Sequence, residues 1–148
     1  MTKLPQEELD KIRPKSLDDI IRTERDKCSL SLSTQKELIE LPPIAEKMAN
    51  SKAIYARLNG WYFISLKEND VRLHFLVGFH EAQDCVWATS VIVALDLEHD
   101  LALTKSNNIY QLGARGEGEP SQVILLHICF QFYNWGIGKR LGVPRIFY

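Results

Sequence analysis

The sequence predicts an α+β fold: short N-terminal helices packed on an antiparallel β-meander of five or six strands, forming a curled sheet or a small, partly open barrel, then a long apolar C-terminal helix. Three observations predict it. Residues 1–50 hold 19 of the 37 charged residues, hydrophobic alternation of period two sets in at Ala53, and the run VILLHICFQFYNW near the C-terminus is apolar almost all round. At 148 residues the chain has the usual size of one domain. The expected division of that domain, 1–148, is a helical part over 1–50, the meander over 53–113, a helix over 120–135 and a tail over 136–148.

In the N-terminal part Ser16 precedes LDDIIRTERDK, with two acids in the first turn and Leu17, Ile20 and Ile21 on one face. That pattern predicts an amphipathic helix. Ser33 or Thr34 caps a second, QKELIEL, which Pro42 and Pro43 stop, and Pro43 opens a third through Met48. All three are short, so each needs an apolar surface to dock on.

The meander begins with AIYARL, Asn59-Gly60 and WYFISL, read as strand, type I′ turn and strand, because Asn-Gly tolerates the positive φ such a turn demands. VRLHFLVGF alternates cleanly. VWATSVIVAL is β-branched with less alternation, as expected of a strand covered on both faces. LALTK and IYQL make a last hairpin around Ser106–Asn108. Pro120 and Ser121 then start the C-terminal helix after the run Ala114–Glu119, and Gly136 ends it.

Eighteen basic against 19 acidic residues give a net charge of −1, so no overall field draws the chain to nucleic acid or to an anionic membrane. The first residues, MTKLPQEELDKIRPK, lack the apolar core of a signal peptide, and no stretch approaches a membrane span. The expected placement is cytoplasmic, with no membrane partner. Cys28, Cys85 and Cys129 are odd in number and in no CxxC pair. They are expected to be reduced packing residues, with no metal site and no cofactor.

Three groups of residues carry candidate chemistry. His127, Gln131 and Asn134 fall at i, i+4 and i+7 of the C-terminal helix and form a polar stripe, either lining a cleft with His127 as acid or base, or facing solvent. In GFHEAQDC, His80 and Cys85 have the chemistry of an imidazole–thiol nucleophile pair, set against a plain polar connection. The tail interleaves Lys139, Arg140 and Arg145 with Trp135, Phe147 and Tyr148, a mixture of cations and stacking surfaces suited to single-stranded nucleic acid. Its alternative is a final strand over Ile146–Tyr148 with the cations in water. Trp61, Trp87 and Tyr110 are aromatics that a small sheet cannot bury on both faces, which suits a protein-binding or dimer surface.

No constellation here is diagnostic of catalysis. The function these residues favour is a small non-enzymatic binding or adaptor protein, such as a bacterial or phage accessory factor, acting on a protein partner or as a homodimer. A single-stranded nucleic-acid module using the tail, and a small enzyme using His80, Cys85 or His127, are the alternatives.

Overall fold

The computed structural model of the chain describes residues 12–46, 48 and 52–145. Five strands, β2 (Ile54–Glu68), β3 (Val71–His80), β4 (Cys85–Asp96), β5 (Leu101–Thr104) and β6 (Ile109–Leu112), pair with their neighbours in sequence as an antiparallel meander. With an odd number of strands the first and last run the same way. Accordingly β6 returns to the first part of β2 as a parallel seam, from Ile54↔Ile109 to Leu58↔Leu112, and closes the barrel. A further strand, β1 (Cys28–Leu32), lies outside the ring and pairs antiparallel with the second part of β2, from Cys28↔Glu68 to Leu32↔Ile64. The fifteen-residue β2 thus belongs to the barrel at its start and to an open β1–β2–β3 sheet at its end.

This overturns the expected fold class on several points. The barrel is closed rather than partly open. No helix covers residues 17–27: Leu17–Asp19 is one 3₁₀ turn, and β1 follows. The reason lies in two arginines. Arg25 donates to the carbonyls of Asp18 and Ile21, and Arg22 to that of Asp19, so side chains take acceptors that a continuing helix would fill with backbone N–H groups. Glu24 then turns the chain at φ 55°. The segment 35–41 forms only α1 (Gln35–Leu38), four residues closed by a Thr34–Glu37 capping box. Part of the helix expected after Pro43 lies outside the described residues; Pro43 itself makes a parallel bridge to Leu95.

Two further readings change. Asn59-Gly60 is no hairpin turn, because β2 runs straight through it with a bulge between Asn59 and Tyr62, although Gly60 does take φ 56°. The C-terminal helix is not a long apolar one. It is α2 (Gln122–Asn134), thirteen residues, half buried, with Val123 and Phe130 exposed. The strands over 71–79, 86–95, 101–105 and 109–112 stand close to their expected places.

Side-chain alternation along the bent strands separates two main apolar layers. Leu58, Phe63, Leu76, Ile92, Ala102 and Tyr110 fill one, against which Leu38 and Leu41 from α1 and its following turn pack. The opposite face of β1–β3, with Leu30, Ile64, Leu66, Phe75 and Val77, receives Leu125, Ile128, Cys129 and Phe132 of α2 together with Ile20 and Ile21. Phe132 is fully buried and meets Phe75 edge to face at 5.9 Å. Burying one such ring contributes about 1.5–3 kcal/mol. After α2 the chain folds back: Arg22 and Thr23 donate their N–H groups to the Leu141 carbonyl at 2.9 and 3.0 Å.

A candidate binding cleft

The bulge in β2 creates the cleft. Leaving β6, residues 113–118 continue alongside β2 as a strap, with a parallel bridge between Trp61 and Arg115. Gly113 N–H donates to Leu58 O at 2.8 Å, Gly60 N–H to Ala114 O at 2.7 Å and Gly116 N–H to Trp61 O at 2.9 Å. Side chains complete the attachment. Asn59 Oδ1 accepts from Ala114 N–H, Trp61 Nε1–H donates to Gly113 O, and Tyr62 O–H donates to Glu117 O at 2.9 Å. Glycine is required at two places: a Cβ at 113 would run into Asn59 Oδ1, and one at 116 would come within 2.5 Å of the Tyr62 ring.

Between this strap and the segment Leu32–Leu38 lies a cavity of about 430 Å³, with Trp61, Tyr62 and Phe63 among its lining residues. The Arg115 guanidinium stands over the Trp61 indole, 5.9 Å from its centroid. Arg22, Arg25, Arg57, Arg72 and Arg140 are each bound to carboxylates. Arg115 has no carboxylate partner among the described residues, so a positive charge on an aromatic platform faces an open, partly apolar space.

The wall opposite the strap is held by a polar network. Ser33 Oγ bonds His74 Nδ1 at 2.7 Å, while one Glu37 carboxylate oxygen accepts from Thr34 N–H, Glu37 N–H donates to the Thr34 hydroxyl to close the box, and Arg72 and Ser65 bind the second Glu37 oxygen at 3.0 and 3.2 Å. Burial pushes the Glu37 carboxyl up, but its bonds to Thr34, then Arg72 and Ser65, outweigh that and hold it below the usual carboxylate range. His74 is buried, and desolvation lowers its pKa, keeping the imidazole neutral. Because Glu37 is taken up by Thr34, Ser65 and Arg72, no carboxylate among the described residues bonds the His74 ring as a triad would require. The Ser33–His74 pair positions the wall.

The residues expected from sequence to carry chemistry lie elsewhere. His80 is buried, accepts from Gln83 N–H at Nδ1 and meets Trp87 edge to face at 4.8 Å; Cys85, its cross-strand partner, is exposed. No hydrogen bond joins the two among the described residues. The stripe on α2 divides: Gln131 donates to Thr89 O on the barrel, Asn134 is exposed, and His127 is half buried, with burial lowering its pKa. Trp135 packs on Phe75 and Phe132 in the core.

In the tail Arg140 is engaged by Glu24 at 2.9 Å and Glu68 at 2.6 Å, Arg145 lies over Tyr133, and Lys139 is exposed. Phe147 and Tyr148 lie outside the described residues. Glu24, Cys28 and Glu68 place ligand atoms within 4.8 Å of one another, but the Arg140 guanidinium already balances both carboxylates there. Burial, with the Glu68 charge behind it, pushes the Cys28 thiol up, away from the thiolate a metal would bind.

The cleft residues that sequence reasoning passed over are Ser33, Tyr62 and Arg115. A signal for Arg115 was present: Gly113 and Gly116 follow a strand at spacing that lets the chain press against a neighbour, where a merely flexible run needs no such pattern. No helix among the described residues is long and apolar enough to cross a membrane. Comparison of the chain with family models, with curated proteins and with solved structures finds no match.

Proposed function

We propose that the chain is a non-enzymatic binding module, an adaptor that takes a segment of a partner protein into the Trp61–Arg115 cleft. One observation carries the reading: the Arg115 cation is held over an indole beside a cavity of about 430 Å³, with no carboxylate of the described residues engaging it. The strap that presents it is fastened at both backbone and side chains, so the charge is positioned in advance and little ordering cost falls on binding. A cytoplasmic setting, and self-association as one form of the partner, belong to the same reading.

The test is selection of a displayed random-peptide library on the full chain, with counter-screening on Arg115→Glu. Enriched peptides are expected to lose at least about tenfold in affinity on the variant, or roughly 1.4 kcal/mol. Peptides that bind both proteins equally, or a selection that enriches nothing, overturn the reading.

A further inference from the structure

The outer edge of β1 adds a second element to this site. Ser33 N–H donates to Phe63 O and Asn69 N–H to Lys27 O, both at 2.8 Å and both in the β1–β2 register. Antiparallel pairing alternates, so residues 29 and 31 bond β2, while Cys28, Leu30 and Leu32 turn their backbone groups the other way. Cys28 N–H is satisfied by Glu24 O at 2.8 Å. For Leu30 and Leu32 the outward N–H and C=O groups have no partner among the described residues.

Leu30 is only 3% exposed, so bulk water does not readily serve its backbone groups. It faces a groove of about 350 Å³ whose other walls include Leu17 and Pro120. Unpaired backbone groups in a sheltered apolar groove favour a ligand that supplies backbone of its own. Leu32 lines both this groove and the Arg115 cleft, and the chain that walls the cleft at Gly118, the end of the strap, goes on to wall the groove at Glu119 and Pro120. The two form one path, from Leu17 to Arg115.

We propose that this path takes an extended polypeptide segment that adds to β1 as a strand, bonds the backbone of Leu30 and Leu32, and delivers a carboxylate to Arg115. The inference rests on the binding reading above and names its ligand. Charge decides the occupant: β1 itself, CSLSL, has no ionisable carboxylate or cation, the groove walls carry Asp18, paired with Arg25, and Glu119, which disfavour an acidic group there, and the cleft end of the path holds a cation over an indole, which favours one. The carboxylate is that of an acidic side chain or of a chain terminus; since β1 runs toward the cleft, a terminal carboxylate requires a strand parallel to β1.

The probe is a set of N-acetylated, C-amidated heptapeptides of alternating Val and Ser with one Glu walked through the positions. The same set with Gln, and a Gln set ending in a free carboxylate, are measured beside it. At least one carboxylate peptide is expected to bind about tenfold or more tighter than its uncharged counterpart, to lose that margin on Arg115→Ala, and to slow amide hydrogen exchange at Leu30 and Leu32. A margin confined to the free-acid set assigns a terminal carboxylate and a parallel strand; a margin in the Glu set assigns a side chain. Peptides that bind with the Arg115 margin but leave both amides unchanged overturn strand addition while the cleft reading stands. Absence of any binding by these peptides and by displayed ones removes both. Two further results overturn the proposal: slowed exchange at Leu30 that tracks protein concentration and a doubled solution mass, or a Leu30 amide that is released when residues 1–11 are deleted.

Discussion

Arg115 and Arg140 both stand in glycine-containing loops pressed against the β1–β2 region, yet the fold uses them differently. Arg140 lies between Glu24 at the entry to β1 and Glu68 at the end of β2, and its own carbonyl accepts from Thr23 Oγ1. Its loop ties the C-terminal segment to the N-terminal turn. Arg115 is fastened to the barrel through backbone and aromatic contacts alone, and its charge meets no carboxylate of the described residues. A loop whose cation is neutralised within the fold closes a structure; one whose cation is held but left unneutralised offers it to something else.

The sharpest way to break the comparison is at the strap. Gly116→Ala drives a methyl group toward the Tyr62 ring, whose hydroxyl is tied to Glu117 O, so the ring cannot swing aside without losing that bond. A loss of about 1–3 kcal/mol in urea unfolding is expected, as for an overpacked site. A cost near zero shows that the strap yields and that Arg115 is not pre-positioned.

A smaller effect is expected from pH at the opposite wall. Burial lowers the His74 pKa from its ordinary value of about 6.5, so as pH falls the unfolded chain takes up this proton first. The stability it contributes is complete above about pH 6.5 and is lost as pH falls toward the folded value. His74→Gln should flatten the fall in urea midpoint between about pH 7.5 and about pH 5.5. His127, also lowered by burial, leaves a residual slope, and the exposed His99, raised by its bond to Asp96, acts in the opposite sense in both proteins. An unchanged slope places the proton-linked stability elsewhere.

The smallest effect separates the two arginines directly. Arg115→Ala should change stability by no more than about 0.5 kcal/mol at any salt concentration, as for a surface residue without an ion-pair partner. Arg140→Ala should destabilise at low salt, with the loss shrinking as salt is raised, because it leaves Glu24 and Glu68 facing each other. Equal salt dependence in the two variants removes the distinction on which the cleft reading stands.

The positions of β3 to β6 were legible because these strands pair with their sequence neighbours in local hairpins, where nearby residues decide the outcome. What failed depends on distant residues. The 17–27 segment has a helical pattern, but Arg22 and Arg25 spend their donors on its carbonyls and β2 recruits Cys28, Leu30 and Leu32 into a strand. Asn59-Gly60 takes the expected positive φ at Gly60 but not at Asn59, so no type I′ turn forms; the strap, some fifty residues on in sequence (113–118), bonds across the bulge beside a continuous β2. The cleft was missed for the same reason: Trp61 was visible as an aromatic needing an explanation, but only the parallel bridge shows that Arg115 lies over it.

The parallel seam between β2 and β6 also has a kinetic meaning. It joins the two ends of the meander, so it can form only after the intervening hairpins have brought Ile54 and Ile109 together, and closing that long loop carries the largest chain-entropy cost in the ring. Ring closure is therefore expected late in folding. The strap hangs directly from β6, so transient opening of the seam would carry Arg115 away from Trp61, linking the lifetime of the closed ring to that of the cleft.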